Sequence, residues 1–169
     1  MGKSIATYIL MFVVLVIIQA LLMNHIVIFN SAVCFVFIYF LIKLPLGLSV
    51  NWLLTLGFLL GLSVDFLSDT PGLNALACTV LASLKRPIFY AYEQHDDHIR
   101  NIEPGMGSMG WLNFSKYLLS MSAIYSFVVT AVEYMTFATM LDILIKAIAS
   151  TVFTFFIILA IDSLQYKKE

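Results

Sequence analysis

The stretch of residues 57–75, with the sequence GFLLGLSVDFLSDTPGLNA, predicts the end of one membrane helix, a tight turn and the start of the next helix. Within it, Gly57, Gly61 and Asp65 recur at helical spacing and therefore share one helix face. Two glycines at this spacing are typical of a face on which a second backbone packs closely in lipid. An aspartate on that face is costly unless the face lies against protein or water. We therefore expect the face to contact another helix, either in the same chain or in a partner.

The turn after this helix carries residue types that begin a helix. Three side chains there can accept hydrogen bonds from the first N–H groups of the next helix, namely those of Ser68, Asp69 and Thr70. Pro71 suits the first turn of that helix, where a missing N–H has no cost. The predicted hairpin motif consists of Ser68, Pro71, Gly72 and Asn74.

The composition outside the hairpin indicates an integral membrane protein. Apolar residues make up 62% of the chain, whereas soluble domains contain roughly 45–50%. Only 11% of the residues are charged, and the mean hydropathy is +0.98. The apolar runs are continuous and do not alternate, which favours helices over a membrane barrel. The length of 169 residues allows about six spans of roughly 20 residues each.

The sequence predicts one domain, a compact all-α bundle of about six transmembrane helices. The fourth span meets Lys85 and Arg86 early. Either these side chains reach toward the interface from a span that continues to Tyr92, which we favour, or the span is short and the bilayer thins. We expect no helix broken in mid-membrane, a feature typical of many transporters. The predicted spans are about residues 5–23, 26–42, 49–67, 71–90, 111–137 and 141–164, with a cytoplasmic loop at 93–110.

The positions of the basic residues predict the orientation. With six spans, eight of the nine lysines and arginines fall on the side of the termini, and only Lys146 lies toward the other side. Because cytoplasmic loops are enriched in lysine and arginine, both termini are predicted to be cytoplasmic. Trp52 and Trp111 are then expected at the inner membrane interface, where amphipathic rings are enriched.

Four ionisable residues are predicted near the outer ends of the spans, and two interpretations of them stay open. In the simpler one, Asp142 and Lys146 form a structural ion pair on one face of the last helix. In the other, a small polar cavity lies under the outer surface, because intramembrane charge is a functional hypothesis by default. The possible outer polar cluster consists of Asp65, Glu133, Asp142 and Lys146.

Patterns that would indicate an enzyme or a bound cofactor are weak. His95 and His98 lie in one short polar run without a second ligand cluster, which favours a solvated loop over a metal site. The run from Gly105 to Gly110 matches a dinucleotide-binding pattern in its letters, but it lacks the preceding strand and predicts a flexible hinge. Ser63 follows a glycine as in a nucleophile elbow, but no histidine lies deep in another span. We therefore predict no catalytic, cofactor-binding or metal-binding residue.

Residues 61–76, GLSVDFLSDTPGLNAL, resemble the signature of the rod-shape-determining protein MreD family. That family shows a glycine, then an aspartate, a small polar turn with proline and glycine, and an Asn-Ala pair. The size, the six-span layout and the basic stretch after the fourth span also fit, although only the hairpin is specific. The turn departs from the family in being tighter, since many members carry an extra residue there. The matching residues are Gly61, Asp65, Pro71, Gly72 and Asn74.

The resemblance implies a non-enzymatic membrane scaffold of the bacterial cell-elongation complex, located in the inner membrane as a multi-pass protein. An MreC-like single-span protein is the implied partner. Through it the scaffold connects indirectly to an MreB-like filament, a RodA-like glycan polymerase and a class B transpeptidase, without nucleic acid. The implied fold is similar to the substrate-binding component of energy-coupling-factor transporters, so a small-solute-binding component of a transporter is the alternative. The weakest rival is an enzyme acting on lipid.

Two further expectations concern the hairpin and the loop. Asp65 and Asn74 each need a hydrogen-bond partner in this environment, so we expect a bond between them across the hairpin. The loop at 93–110 is the longest polar stretch of the chain. A contact between this loop and a cytosolic protein is therefore a further hypothesis.

Overall fold

A computed structural model of the chain describes residues 5–23, 33–70, 72–93, 103–134 and 140–166. These residues form six α-helices and contain no strand, which confirms the predicted all-α class. A π-helical turn, Gln19–Met23, continues the first helix. The helices are α1 (Ile5–Ile18), α2 (Ile38–Lys43), α3 (Val50–Ser68), α4 (Leu73–Tyr92), α5 (Met106–Tyr134) and α6 (Met140–Tyr166).

Three segments within the described residues are long and apolar enough to cross a membrane, namely Val50–Ser68, Met106–Glu133 and Ile143–Gln165. A shorter apolar helix covers Ile5–Leu21. Large apolar side chains such as Phe66 and Phe156 are exposed on the outside of the bundle. Since exposed apolar surface of this extent is unusual in a soluble protein, these helices indicate a membrane protein.

The bundle is built from two packed pairs of helices. Helices α3 and α4 form a tightly packed hairpin, α5 and α6 form a second pair, and α4 also packs against α5. The short helix α2 lies in the middle, and all six of its residues are buried. The core therefore surrounds an element that is too short to cross a membrane.

The prediction of a continuous second span at about 26–42 is wrong in its described part. Residues 33–37 are not helical, and α2 contains only six residues. Nevertheless, every residue from 34 to 44 is buried, so we call 33–44 the buried segment. The apolar run that predicted a lipid-facing helix in fact fills the protein interior. Residues 26–32 of the predicted span lie outside the described residues.

Side chains from other elements bind the backbone of the buried segment where it is not helical. The N–H of Val33 donates to Ser150 Oγ at 3.1 Å, and that of Phe35 donates to Thr154 Oγ1 at 3.1 Å. The Gln19 side chain accepts from the N–H of Val36 at 3.1 Å and donates to Cys34 O at 2.9 Å. These bonds explain how an irregular backbone stays in the interior, because a buried N–H or C=O without a partner is costly.

The irregular part of the buried segment lies at half the height of the bundle. Its partners Ser150 and Thr154 are near the middle of α6. The expectation that no helix is broken in mid-membrane stays a prediction, because residues 24–32, which precede this segment, lie outside the described residues. At membrane depth, irregular backbone is tolerated only where it is enclosed by protein or lines a cavity. The sequence gives no sign of this irregular backbone, because the residues here are as apolar as those of a span.

Basic side chains of α4 bind the carbonyl groups at the end of α2. Lys85 is fully buried, and its Nζ donates to Leu41 O at 2.7 Å and also to Leu44 O. Arg86 Nη2 donates to Leu46 O at 3.2 Å. The favoured prediction of a helix that continues to Tyr92 is confirmed, but Lys85 does not extend to an interface.

Replacement of Lys85 by methionine should destabilise the bundle. The change keeps the length of the side chain but leaves the Leu41 and Leu44 carbonyl groups without their shared donor. A buried acceptor left without its donor costs about 1–3 kcal/mol, so we expect a loss of about 2 kcal/mol. Thermal unfolding of the purified protein in detergent, with the exposed Ser83→Ala as control, measures it. A melting temperature equal to that of the control variant would contradict this role.

The start of α5 lies inside the predicted cytoplasmic loop. The helix begins at Met106, five residues before the predicted Trp111, and is broken at Gly110, whose φ of 73° is not helical. The predicted hinge is thus one helical turn followed by a kink at glycine. Residues 94–102 of the loop and 135–137 of the predicted fifth span lie outside the described residues.

Candidate functional site

The carboxylate of Asp65 is the centre of the hairpin between α3 and α4. Asp65 is buried. Its Oδ1 accepts from the backbone N–H of Asn74 at 3.0 Å, from Asn74 Nδ2 at 2.9 Å and from the Thr70 hydroxyl. Its Oδ2 accepts from the N–H of Ala75 at 2.8 Å. One side chain in the last turn of α3 thereby binds Thr70 in the turn and both Asn74 and Ala75 in α4.

Asp65 caps the N-terminus of α4, a role that was predicted for residues of the turn. The N-cap residue of α4 is Gly72, which has no side chain to accept a hydrogen bond. The N–H groups that Asp65 binds belong to the first turn of α4, where a negative charge is also stabilised by the helix dipole.

The predicted capping by Ser68, Asp69 or Thr70 is therefore not what the structure shows for α4. Asp69 ends α3 in the left-handed conformation, and the Thr70 hydroxyl donates to Asp65. Pro71 lies outside the described residues. Asp65 precedes the N-cap residue Gly72 by seven positions, too far for a cap to be recognised from local spacing, which explains the error.

Asn74 connects the hairpin to α5. Its Nδ2 binds Asp65 at 2.9 Å, which confirms the predicted hydrogen bond, and its Oδ1 accepts from the Tyr125 hydroxyl at 2.5 Å. The Tyr125 ring is buried and packs edge-on against Phe35 and Phe37 at 4.9 Å and 5.6 Å between centroids. The Asn74 amide and the Tyr125 ring therefore connect the hairpin, α5 and the buried segment. Sequence reasoning missed Tyr125, which looks like any aromatic residue of a span.

Gly57 and Gly61 pack inside the chain, against α4. A Cβ at Gly61 would lie 2.5 Å from Ala75 N and even closer to Asn74 O and Ala75 Cα. A Cβ at Gly57 would lie 3.0 Å from Cys78 O. The predicted helix-packing face is therefore confirmed as an internal one. Because α4 already covers it, the face is not available to a partner.

The possible outer polar cluster is only partly visible. The Asp65 carboxylate is hydrogen-bonded within the hairpin. Glu133 is exposed near the end of α5, and Lys146 is half-buried on α6. The side chain of Asp142 lies outside the described residues, so its pairing with Lys146 stays a prediction. What the structure does show is that Glu133 and Asn74 line a common cavity.

This cavity, which we call the outer cavity after the predicted orientation of the chain, has a volume of about 560 Å³. It lies between the π-helical turn, the buried segment, the hairpin and the end of α5. Gln19 and Asn74 contribute amides to its wall, and both are already engaged in hydrogen bonds within the protein. Among the described residues, its lining consists of Gln19, Val33, Phe35, Val64, Ser68, Thr70, Gly72, Leu73, Asn74, Leu76, Val129, Val132 and Glu133.

A second buried carboxylate, that of Asp162, lies at the opposite end of the bundle. Its Oδ1 is 2.5 Å from Lys43 Nζ and accepts from the Tyr39 hydroxyl at 2.8 Å. Its Oδ2 accepts from the N–H of Met106 at 3.0 Å, at the start of α5. Asp162 thus joins α2, α5 and α6 in the way that Asp65 joins α3 and α4. No helical spacing within the sequence relates Lys43 to Asp162, so the pair could not be predicted.

The Lys43–Asp162 pair should show strong coupling in a double-mutant cycle. Asp162→Leu leaves Lys43 without its counter-charge in a mostly dry site, which we expect to cost about 3 kcal/mol. Lys43→Met combined with Asp162→Leu should be less destabilising than the sum of the single changes. Thermal unfolding of the four proteins measures the coupling. Additive losses would mean that the two charges do not interact.

Within the described part of the chain, no group of three or more His, Cys, Asp or Glu side chains is arranged to hold a metal ion. The predicted loop histidines His95 and His98 lie outside that part. No protein-family model, curated protein sequence or solved structure matches this chain. Its function is therefore inferred from its own residues and from the resemblance of the hairpin.

Proposed function

We propose that the chain is a non-enzymatic scaffold of the bacterial cell-elongation complex, of the MreD type, in the inner membrane. Its direct partner would be an MreC-like single-span protein. An MreB-like filament, a RodA-like glycan polymerase and a class B transpeptidase would be connected through that partner. A multi-pass topology with both termini in the cytoplasm is part of this proposal.

The observation that carries the proposal is the joint use of the signature residues in one structural unit. Asp65 and Asn74 are hydrogen-bonded to each other, and Gly61 allows α4 to approach them closely. The residues that suggest the family therefore maintain the shape of the hairpin. A scaffold must present a surface of fixed shape to its partners. Signature residues that maintain the hairpin are consistent with that function.

The structure changes where a partner helix is expected to bind. The glycine face is occupied by α4, so a single-span partner must use an exposed apolar face instead. Substitutions at Gly57 and Gly61 are consequently expected to affect folding first and partner binding only as a consequence.

The second candidate is a small-solute-binding component of a transporter. The outer cavity is the specific observation in its favour, because it lies beside the turn of the hairpin and has a size typical of ligand pockets, roughly 300–1,000 Å³. The irregular backbone of the buried segment, which contributes Val33 and Phe35 to the cavity, is also a feature of many transporters.

Affinity purification of the tagged, full-length chain from bacterial membranes in mild detergent, followed by mass spectrometry of the bound proteins, tests the proposal. We expect recovery of an MreC-like protein together with the glycan polymerase. The Ser83→Ala variant serves as the matched control, since Ser83 is exposed and bonds only to its own helix. Recovery of ATPase subunits and a transmembrane coupling protein in place of these partners would contradict the scaffold function and support the transporter component.

A further inference from the structure

A groove on the side of the bundle lies between α1 and α3, and we call it the side groove. Ile9 and Phe12 line it from α1, Trp52 and Leu56 line it from α3, and the buried Phe40 of α2 lies at its base. Its volume is about 690 Å³. Among the described residues, the side groove and the outer cavity have no lining residue in common, so they are separate sites.

The lining of the side groove is apolar. Among the described lining residues, the polar side-chain groups are the Trp52 indole N–H and the Tyr8 hydroxyl, which donates to Glu103 Oε1 at 2.5 Å. Ile5, Ile9 and Trp52 are exposed, so the groove is open to the surroundings of the bundle. A bound water needs several polar partners, which this wall does not offer, whereas an alkyl chain needs none. In a membrane we therefore expect a lipid acyl chain in the groove.

The headgroup must decide which lipid is preferred. Lipid tails are as apolar as the groove wall, so an acyl chain gains little when it leaves the surrounding bilayer. One end of the groove is formed by the turn between α2 and α3, through Leu44, Pro45 and Leu48. Trp52 lies beside it in the first turn of α3, and amphipathic rings of this kind are enriched at membrane interfaces. We therefore expect the headgroup at this end.

Arg86 of α4 lies at the same end. Its Nη2 donates to Leu46 O at 3.2 Å and also to the carbonyl group of Leu48, which itself lines the groove. Its Nε is buried and has no hydrogen-bond partner among the described residues. A guanidinium with an unused donor is suited to a phosphate, which accepts hydrogen bonds and carries a negative charge.

Arg86 differs from Lys43 and Lys85 in having no acidic partner in the described part of the chain. Lys43 is paired with Asp162 at 2.5 Å, and Lys85 interacts electrostatically with Glu103. No acidic side chain of the described residues forms an ion pair with Arg86. Because an unpaired charge is costly where water is scarce, this arginine favours an anionic ligand.

We propose that the side groove binds one acyl chain of an anionic phospholipid, whose phosphate lies beside Arg86 at the turn between α2 and α3. The groove fixes the position of the lipid, and the charge of Arg86 selects its headgroup. In the predicted orientation this end faces the cytoplasm, the side on which the membrane surface is negative. The proposal requires only that the chain lies in a membrane, and it is independent of the scaffold function.

The first test uses the position of Trp52 in the groove, because the chain contains only two tryptophans. The variant Trp111→Phe keeps Trp52, whereas Trp52→Phe keeps Trp111, which is exposed and does not line the groove. The full chain of each variant is reconstituted into phosphatidylcholine vesicles that contain a fraction of brominated phosphatidylglycerol or the same fraction of brominated phosphatidylcholine. Bromine quenches the fluorescence of a nearby indole, so the extent of quenching reports which lipid lies beside each tryptophan.

We expect brominated phosphatidylglycerol to bind beside Trp52 about fivefold more tightly than brominated phosphatidylcholine, the effect of one basic residue on an anionic lipid. Arg86→Gln should remove this preference, because the amide can still donate a hydrogen bond to the turn but carries no charge. Any preference at Trp111 should be unchanged by Arg86→Gln. Equal binding of the two lipids beside Trp52, or a preference that survives in Arg86→Gln, would overturn the proposal.

The second test fills the groove while Arg86 stays in place. Ile9→Phe adds a ring to the groove wall, and Leu10→Phe adds the same ring at the neighbouring position, which is exposed but does not line the groove. In the variant that keeps Trp52, Ile9→Phe should abolish the preference for phosphatidylglycerol, and Leu10→Phe should retain it. Retention of the preference in both variants would place the anionic lipid outside the groove and refute the proposal.

Native mass spectrometry of the wild-type chain and both α1 variants, released from mild detergent, identifies the occupant. We expect one anionic phospholipid per chain in the wild type and in Leu10→Phe, and none in Ile9→Phe. A single-span protein or a second copy of the chain, retained in place of the lipid and lost in Ile9→Phe, would contradict the proposed occupant. Failure to recover an MreC-like protein in the affinity purification would leave these lipid results unchanged, so the two proposals fail separately.

Discussion

Gly61→Ala should prevent normal packing of the α3–α4 hairpin. The added Cβ would lie 2.5 Å from Ala75 N and even closer to Asn74 O and Ala75 Cα, all of which are backbone atoms that cannot turn away as a side chain can. Overpacking of a protein core costs typically 1–3 kcal/mol, and a clash with backbone should exceed that range, at about 4 kcal/mol or more. Thermal unfolding and the monodisperse yield in detergent measure the loss.

Gly57→Ala is the matched control on the same face. Its Cβ would meet Ala82 Cβ and Cys78 O at 3.0 Å, which small movements of the neighbouring atoms can relieve. We therefore expect a clearly smaller loss of stability than at Gly61. Equal stability of Gly61→Ala and wild type would show that the two helices are not in close contact at this point.

Asp65→Leu should have an effect of similar size for a different reason. The change leaves the N–H groups of Asn74 and Ala75 and the Asn74 amide without their acceptor in a buried site. Each unsatisfied buried donor costs about 1–3 kcal/mol, so a total of about 5 kcal/mol is expected. The measurement is again thermal unfolding of the purified protein, together with its amount in the membrane.

Asp65→Asn separates charge from hydrogen bonding. The asparagine can retain one acceptor oxygen, but its NH₂ group then faces the N–H of a neighbour where Oδ2 now accepts. An intermediate stability between wild type and Asp65→Leu is therefore expected. If Asp65→Leu were as stable as the wild type, the carboxylate would have no capping role in the hairpin.

The hairpin could be predicted because its determinants are local. Gly57, Gly61 and Asp65 are related by helical spacing, and Asn74 follows the turn closely, so one face and one hydrogen bond were accessible to sequence reasoning. The membrane class followed from composition. These features depend on neighbours within about twenty residues.

The buried segment could not be predicted for the opposite reason. Its irregular backbone is held by residues far away in the chain, such as Ser150 and Thr154, which bind Val33 and Phe35 from α6. A hydropathy profile detects only an apolar run, and such a run is equally suited to a lipid-facing helix and to a protein interior. The Lys43–Asp162 pair could not be predicted for the same reason, because its two residues are far apart in the sequence and only the fold brings them together.

The most direct test of the proposed scaffold function is cell shape after depletion of this chain in its host cells. We expect depleted cells to lose their elongated form and become round, and a plasmid-borne wild-type copy or Ser83→Ala to restore their length-to-width ratio. Asp65→Leu should fail to restore it, because its hairpin does not form. An unchanged length-to-width ratio after complete depletion would contradict the proposed role in cell elongation.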